Sequence, residues 1–352
     1  MFKNLLRKVI LKNPKDSQFA SEISNMQKTQ AVLHTYPWLS STGVLLVAVI
    51  AFSFFNSNFL TPGNLSLILQ QVSIVGALAL GQTLIILIAG IDLSCAAISI
   101  FCMMFMAKAA MGDPYIEGDG LTIWLAFPLG ILLACLAGAV NGYLVTKFRL
   151  PPFIVTLGTL NIFVALTIIY ATGRSVLENE LDPFLLKLGA VIDIGGFRIT
   201  AGVILMLAMY MFFAYVLRYT SWGRHIYAVG NDSEAARLSG INTKQVIMSA
   251  YIIAGLVYGL ASWIMIGRIT VASPNVPSDY NLIAITAVVI GGTSLFGGRG
   301  TVFGTLVGAV IVGVFQNGLT LAGVDLNYQL LAIGLLIILA VTLDTWIRKV
   351  KS

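Results

Sequence analysis

Apolar stretches separated by short polar connections run through the chain from about residue 42 onward. An α-helix needs about 20 apolar residues to cross the hydrocarbon core of a membrane, and several of these stretches reach that length. The pattern predicts an all-α integral membrane protein with about ten transmembrane helices. The predicted spans are 42–55, 65–90, 92–110, 121–146, 152–172, 199–217, 245–267, 281–296, 301–321 and 327–346.

The first predicted span is short and the second is long and dotted with glycine, so one kinked segment containing both is an open alternative. Around the spans, residues 1–41 are predicted to form a basic cytoplasmic extension. Residues 42–347 form the transmembrane domain, and residues 348–352 form a short basic tail.

Composition supports lipid as the surrounding solvent. Of the 352 residues, 58% are hydrophobic and 10% are charged, and the mean hydropathy is +0.91. A soluble globule of this composition would lack the polar surface to cover it. Cys95, Cys102 and Cys135 all fall in apolar windows, and this placement predicts neither a disulfide nor a metal site.

The distribution of Lys and Arg predicts the orientation. If the chain starts inside the cell, most of its 21 Lys and Arg residues fall in inside segments, as the positive-inside rule requires. Both termini are then cytoplasmic. The basic residues left outside are Lys108, Arg174, Lys187, Arg198 and Arg268.

Ten spans divide into five and five, and a second unit of five must enter the membrane from the opposite side. Transporters commonly have such inverted repeats. Residues 90–94 and 291–295 are both glycine-led polar breaks followed by an apolar helix, which gives this division weak support.

The longest polar interruption in the second half of the chain covers residues 218–244. Asn231 is predicted to cap a helix that begins at Asp232, with Glu234 reaching back to the cap. Gly240 is well placed to end that helix in a left-handed turn. A short capped helix held in water between two spans predicts docking of a soluble partner.

Asp92 is the only acidic residue in a long apolar stretch, and it lies between Gly90 and Ser94 as though one helix ended and another began. Carboxylates inside the membrane are costly and are often functional. The alternative is that Asp92 caps the third span at the cytoplasmic border, and this capping role is the favoured interpretation.

A second break is predicted in the glycine-rich segment 291–304. Its glycines explain a tight reversal between two spans, and glycines at four-residue spacing (300, 304 and 308) allow close helix packing. A phosphate-binding loop is excluded, because no GxxxxGK[ST] motif follows and no strand precedes. The predicted structural breaks are therefore Asp92, Ser94, Gly291, Gly292, Gly297 and Gly298.

The sequence offers no catalytic chemistry. Its two histidines, His34 and His225, lie outside the spans, and it has neither a Gly-x-Ser-x-Gly elbow nor paired membrane carboxylates. We expect no enzyme activity, no bound cofactor and no metal in this chain. If ATP drives its function, ATP and magnesium belong to a separate ATPase chain.

Uncharged polar residues lie inside the spans and would suit a neutral, hydroxylated ligand, although they also hold helices together. They are Gln70, Gln71, Ser73, Gln82, Thr83, Asn141, Thr156, Thr159, Asn161, Thr286, Gln316, Asn317 and Thr320. The proline-led fifth span receives the greatest weight. The predicted pathway residues are Phe153, Thr156, Thr159, Asn161 and Asn317.

The long loop 172–198 carries Leu181, Phe184, Leu185 and Leu188 at helical spacing. This spacing predicts a short helix lying on the outer membrane surface. The loop is interpreted either as a lid over the bundle or as a platform for an extracytoplasmic partner.

Four motifs in order carry a specific resemblance. They are NG at 141–142, LPPFIVTLGT at 150–159, GN and AARLSGIN at 230–231 and 235–242, and GGTSL, GGRG and GT at 291–295, 297–300 and 304–305. The chain resembles a permease subunit of the ribose, galactose and xylose class of bacterial ABC sugar importers. The resemblance covers about residues 64–344.

The resemblance implies a multi-pass protein of the bacterial inner membrane. Its implied partners are a cytoplasmic ABC ATPase, a second permease subunit, an extracytoplasmic sugar-binding protein and the lipid bilayer, with no nucleic acid. Carried over by position, residues 231–241 resemble the coupling helix that contacts the ATPase, and the fifth span resembles one lining the pathway. The coupling residues are Asn231, Asp232, Glu234, Ala235, Ala236, Arg237, Gly240 and Ile241.

Two departures leave the particular sugar open. Residues 95–97 read CAA where the family often has VGS, and residues 280–285 read YNLIAI where YELDAI is common. Related permeases carry nucleosides or other sugar derivatives. An ion-coupled secondary transporter is the alternative class, with Asp92 as its one candidate ion-coupling group.

Overall fold

A computed structural model of the protein describes residues 37–112, 120–276 and 279–348. Apart from residues 37–41 and 348, the predicted basic extension and tail lie outside these ranges. The helices are α1 (Pro37–Phe55), α2 (Pro62–Leu87), α3 (Cys95–Met111), α4 (Ile123–Lys147), α5 (Pro152–Ala171), α6 (Pro183–Leu186), α7 (Ala201–Tyr219), α8 (Ser221–Asn231), α9 (Ser233–Leu238), α10 (Thr243–Ile269), α11 (Tyr280–Ile290), α12 (Val302–Leu321) and α13 (Leu326–Arg348).

Within the described residues, six helices are long and apolar enough to cross a membrane, namely α2, α4, α5, α7, α10 and α12. Three further apolar helices are shorter, at Ser41–Phe55, Cys95–Met111 and Tyr280–Ile290. The chain is therefore a multi-pass helical membrane protein, and the count of ten spans stays a prediction.

The first two predicted spans are separate helices. The chain leaves α1 at Phe55 and re-enters a helix at Pro62, where proline suits the first turn because its missing N–H would have no helical partner. Thr61 caps that helix by accepting a hydrogen bond from the backbone of Asn64. The alternative of one kinked segment is wrong.

Two helices form the centre of the bundle. The apolar window of α2 is 83% buried and that of α10 is 72% buried, against 22% for α5. α10 packs against α4, α2 and α3, while α2 also contacts α12, α11 and α7. A helix buried on every side needs apolar residues around its whole circumference, which is the pattern that both sequences have.

Small residues set the most extensive helix contact, which joins α4 and α10. A Cβ atom on Gly138 would collide with the carbonyl of Tyr251, and one on Gly255 would collide with the carbonyl of Ala134. The two backbones therefore touch from both sides. Lipid provides no hydrophobic drive for helices to associate, so close van der Waals packing of this kind must hold them together.

The predicted glycine packing of α12 is confirmed for two of three positions. Cβ atoms on Gly304 and Gly308 would collide with the carbonyls of Gly291 and Ala287 on α11. Gly300 lies before α12 and packs instead against Thr293, with a φ of +147°.

The segment between α5 and α7 is more folded than a surface helix. It contains 3-10 turns at Glu178–Glu180 and Lys187–Gly189, the four-residue α6, and the hairpin β1 (Val191–Ile194) and β2 (Phe197–Thr200), which pairs Val191 with Thr200. Arg174 and Glu180 form an ion pair in the same segment.

The short helix predicted in this segment is present as α6, but the leucines at helical spacing point into the protein and not toward a membrane surface, as the lid interpretation expects. Leu181, Leu185 and Leu188 are buried, and Phe184 stacks on Trp263 of α10 with ring centroids 4.9 Å apart. The periodicity arises because this segment packs on the end of α10. The end of the bundle that carries it is called the hairpin end.

Replacing Gly255 by alanine should destabilise the bundle, because the new methyl group would push α10 away from α4. The expected loss is about 1–3 kcal/mol, visible as a lower apparent Tm of the detergent-solubilised protein. Gly43→Ala is the matched control, since a Cβ there meets nothing within 4 Å. Equal Tm values for the two variants would contradict this packing.

Candidate functional site

The polar segment 218–244 contains two consecutive helices where the sequence predicted one. In α8, the side chain of Thr220 caps the helix by accepting a hydrogen bond from Gly223 N at 3.1 Å. Trp222 Nε1 donates to Ser249 Oγ at 2.8 Å, and Tyr227 Oη donates to the carbonyl of Gly300 at 3.0 Å. Capping by Thr220 was the signal that could have revealed this helix.

The predicted cap of α9 is displaced by one residue. Asp232 is the capping residue, and its Oδ1 accepts from the backbone N–H groups of Glu234 and Ala235, each at 2.9 Å. Asn231 instead ends α8. An aspartate satisfies the free N–H groups of a first turn with a full negative charge, which also interacts favourably with the helix dipole.

Glu234 does not reach back to the cap as predicted. It pairs with Arg237 through two hydrogen bonds of 3.0 and 2.6 Å. Hydrogen bonding and the nearby positive charge lower the pKa of Glu234, while the same contacts raise the pKa of Arg237. The ion pair is therefore present above the ordinary carboxyl range and is lost as the pH falls through the lowered pKa.

The predicted left-handed turn at Gly240 is confirmed. Gly240 has φ +87°, its N–H donates to the carbonyl of Arg237 at 3.0 Å, and Ile241 N donates to the carbonyl of Ala236 at 3.1 Å. These two bonds satisfy carbonyls that the end of α9 would leave free. Any residue with a Cβ atom would be strained here.

α9 presents most of its surface outward. Ala236 is the exception: it is 4% exposed and packs against the rest of the protein, so it does not face a partner. Leu238 is 74% exposed. An apolar side chain within a polar segment is the signal by which the sequence could have indicated it as a contact residue. The predicted coupling residues that are exposed are Asn231, Asp232, Glu234, Ala235, Arg237 and Gly240.

Backbones from three parts of the chain meet beneath α8 and α9. We call this contact the junction, formed by residues 87–89, 230–231 and 297–300. Gly298 N donates to the carbonyl of Leu87 at 2.9 Å, and a Cβ atom on Gly230 would collide with both groups of that hydrogen bond. Only glycine allows this approach. The end of the bundle that carries it is called the junction end.

The first break, residues 88–94 between α2 and α3, is an interval of non-helical backbone inside the protein. Oδ1 of Asp92 accepts from the N–H and the hydroxyl of Ser94, at 2.8 and 2.6 Å. Asn141 of α4 donates to the Ser94 hydroxyl at 3.0 Å. The carboxylate thus organises the turn before α3. Ser94 is the N-cap residue of that helix and no side chain caps its first turn, so the favoured interpretation of Asp92 as the cap is wrong. Asp92 is 1% exposed.

Polar side chains from two other helices satisfy the backbone of this break. The hydroxyl of Thr156 on α5 shares its proton between the carbonyl of Ile91, at 3.0 Å, and that of Pro152 in its own helix, at 2.9 Å. The amide of Asn281 on α11 donates to the carbonyl of Leu93 at 2.8 Å. Unpaired backbone groups are expensive where water is excluded, so these side chains stabilise the break. Asn281 is one of the departures from the family pattern.

The second break, residues 291–301 between α11 and α12, is built on glycines with positive φ. Gly292 ends α11 at φ +86°, and Gly297 and Gly298 reverse the chain at φ +81° and +68°. Gly291 is helical in φ and serves close packing instead. Thr301 then caps α12 by accepting from Gly304 N at 3.0 Å.

Three of the predicted pathway residues point into the protein. Thr156 and Thr159 are buried, and Thr159 donates only to carbonyls of its own helix. Asn317 is buried and exchanges two amide hydrogen bonds with Asn64, at 2.9 and 2.8 Å. Their geometry is that of helix packing. Phe153 and Asn161 are exposed on the outer face of α5, so a pathway role stays a prediction for them.

A cavity of about 520 Å³ lies toward the hairpin end, between α2, α10, α11 and α12. Its polar lining consists of Gln71, Arg268, Asp279, Tyr280 and Gln316, and none of the predicted pathway residues lines it. Both glutamines were among the polar residues noted within the spans. The sequence could not show that helices so distant in the chain bring them together.

Comparison with known proteins identifies the family. Residues 64–341 match the model of the family described as branched-chain amino acid transport system, permease component. The chain belongs to this permease family. No solved structure matches it.

Several curated relatives have names that specify sugars. The chain is 43% identical to the fructose import permease of Rhizobium meliloti, over 93% of this chain and 90% of the relative. It is 38% identical to the ribose import permease of Bacillus subtilis, over 85% and 90%, and 36% identical to the D-allose transport system permease of Escherichia coli, over 83% and 86%.

Thr156→Val should expose the backbone amides of residues 88–95 to faster hydrogen exchange. Valine keeps the shape of threonine but leaves the Ile91 carbonyl unpaired, at a cost of about 1–3 kcal/mol. Thr159→Val is the matched control, because it removes only hydrogen bonds within α5. Exchange measured by mass spectrometry should change for the first variant alone. Equal protection in both would refute the role of Thr156.

Proposed function

We propose that this chain is the membrane permease of an ABC importer that carries a monosaccharide across the bacterial inner membrane. A separate cytoplasmic ATPase drives transport, and an extracytoplasmic binding protein delivers the sugar. The observation that carries the proposal is the junction. In this permease-family chain, the exposed and capped α9 is connected through the end of α8 to residues at both breaks of the membrane domain.

The surface of α9 suits a protein partner. It combines the exposed ion pair of Glu234 and Arg237 with the exposed apolar side chain of Leu238. Its two ends are fixed by the Asp232 cap and the Gly240 turn, so little conformational entropy is lost on binding. A partner that moves α9 would also move α8, and with it the hydrogen bond between Gly298 and Leu87.

The junction end is cytoplasmic in this proposal. The polar segment at that end carries Arg218, Arg224, Arg237 and Lys244, which is the cationic bias expected of an inside loop. The hairpin end then faces outward, where a binding protein arrives. Both termini are cytoplasmic, and the chain crosses the membrane ten times.

The packing of the helices supports two inverted units of five. The first unit is α1 to α5, and the second is α7 and α10 to α13. In this division, α1 to α5 match α7, α10, α11, α12 and α13 in that order. Exchanging the units therefore turns the contact between α2 and α12 into the contact between α10 and α4, and the contact between α3 and α4 into that between α11 and α12. The pairs α3–α10 and α3–α5 likewise correspond to α11–α2 and α11–α13. Exchange of contacts is what a twofold repeat produces.

The outer face of α5 is the proposed contact with the pathway or with a second permease subunit. Asn161 is exposed at the tenth of the twenty positions of α5, and Gly158 lies beside it with nothing within 4 Å of a Cβ. An amide facing lipid at that depth is unfavourable. Covering this face with a second subunit would place Asn161 and Phe153 on the path between the two chains.

The proposed substrate class rests on the relatives, whose names specify fructose, ribose and allose. An ABC permease for a nucleoside is the second candidate, because uncharged polar groups would serve it equally well. An ion-coupled mechanism is disfavoured, because Oδ1 of Asp92, its candidate ion-coupling group, is engaged by Ser94.

Purification of the tagged chain from its native membrane in a mild detergent tests the class. We expect mass spectrometry to identify a P-loop ATPase in the eluate. On a size-exclusion column, ATP hydrolysis should elute in the same fractions as the tagged chain. Recovery of active, sugar-transporting protein free of any ATPase would contradict the proposal.

Reversing charge on α9 should uncouple transport from ATP hydrolysis. Glu234→Arg breaks the ion pair and places two like charges against the partner, and we expect sugar uptake to fall about tenfold or more. Uptake should be measured alongside ATPase activity and the amount of permease in the membrane.

The double exchange of Glu234→Arg with Arg237→Glu is the control. It restores an ion pair within α9 while the outward charge pattern stays inverted. If contact with the ATPase matters, the double variant stays uncoupled. Full recovery of uptake would show that the pair serves only to hold the helix together.

A further inference from the structure

The cavity at the hairpin end has a lining that differs from the rest of the bundle core. Two amides, a guanidinium, a carboxylate and a phenol converge on it, from Gln71, Gln316, Arg268, Asp279 and Tyr280. Its volume of about 520 Å³ falls in the range of small-molecule sites, about 300–1,000 Å³. Ile283 supplies an apolar wall against which carbon–hydrogen groups can pack.

Arg268 carries a polar atom that lacks a partner. Its Nε is buried and has no hydrogen-bond partner among the described residues. Asp279 lines the same cavity, yet the ion pairs of the described residues are Arg174–Glu180 and Arg237–Glu234. A buried donor without an acceptor is costly, so the present position of the Arg268 side chain is not stabilised by a hydrogen bond at Nε. The same side chain lines the cavity, where its guanidinium can donate to an oxygen atom of a ligand.

The set of groups favours a neutral molecule with several hydroxyls. One cationic donor and one anionic acceptor offset each other, which disfavours a ligand of net charge. Amides, a phenol and a carboxylate can donate to and accept from neighbouring hydroxyl groups on a ring. An apolar ligand would leave all of these groups unpaired.

The position of the cavity couples it to the breaks. Asp279 and Tyr280 lie at the start of α11, and Asn281 donates to the first break at Leu93. The other end of α11, only eleven residues long, runs into the second break. A ligand that pulls on the start of α11 therefore acts on both breaks through one rigid helix.

We propose that this cavity is a binding site for the transported monosaccharide in the outer half of the permease, with Arg268 as its principal donor. The inference rests on the proposed function and deepens it. The sugar leaves its binding protein, enters the cavity, and is held by Arg268, Asp279 and the two glutamines before the breaks rearrange.

Protection from chemical modification tests occupancy directly. Ile269→Cys, at a lining position that is not among the proposed sugar contacts, should react with a membrane-impermeant thiol reagent added from outside, above the background of the native cysteines. Ribose, fructose or allose, used as probes, should slow that reaction several-fold when the sugar occupies the site. Lys187→Cys is the control, because Lys187 is exposed at the same end and does not line the cavity.

The two levels of the proposal can fail separately. If the importer takes up one of these sugars and that sugar does not protect Ile269→Cys, the site is refuted while the proposed function stands. If none of the three is taken up with ATPase and binding protein present, the proposed substrate class is refuted.

Conservative replacement of Arg268 separates binding from structure. Arg268 lies in the last turn of α10, where any cation stabilises the helix end. Arg268→Lys keeps that charge but removes the Nε donor and the planar fork. We expect the maximal uptake rate to fall about tenfold, with the half-saturating sugar concentration unchanged because the binding protein sets it. Wild-type rates in this variant, with Lys187→Gln as the matched control, would overturn the assignment.

Discussion

The fold depends on satisfying non-helical backbone where water is excluded. Two breaks interrupt the helices, and much of their backbone is buried, where an unpaired peptide group is costly. The protein supplies the partners itself, from Thr156 and Asn281 at the first break and from a backbone hydrogen bond between Gly298 and Leu87 that joins the breaks to each other. Because Gly230 lies directly against that bond, the polar segment and the membrane breaks form one mechanical unit.

This unit gives the proposed function a mechanical route from a partner to the membrane domain. In the proposed function, the partner's work enters at α9, which is exposed and capped. It reaches the breaks through α8 across contacts that only glycine permits. The short α11 then links both breaks to the cavity at the opposite end. Force can pass through packed helices over this distance because protein interiors deform little.

Much of the fold can be predicted from local sequence patterns. Hydropathy predicts the apolar helices, and glycine with proline predicts where they stop, as at Gly240. Prediction fails in two situations: where neighbouring residues compete for one role, and where a contact joins distant parts of the chain. Asp232 rather than Asn231 caps α9, because a full charge one residue later is the better acceptor. The hydroxyl of Thr156 contacts the carbonyl of Ile91, 65 residues away, and no local pattern predicts that contact. The cavity joins Gln71 to residues near 268–316, and periodicity carries no information on such pairings.

The central claim is that ATP, acting through a separate protein, drives uptake through this chain. The most direct measurement is sugar uptake into cells under two treatments, ATP depletion with the ion gradients intact and collapse of the gradients with ATP maintained. The account predicts that uptake stops in the first condition and continues in the second. Uptake that survives loss of ATP and stops with the gradients would contradict it, and would assign the transport to an ion-coupled mechanism.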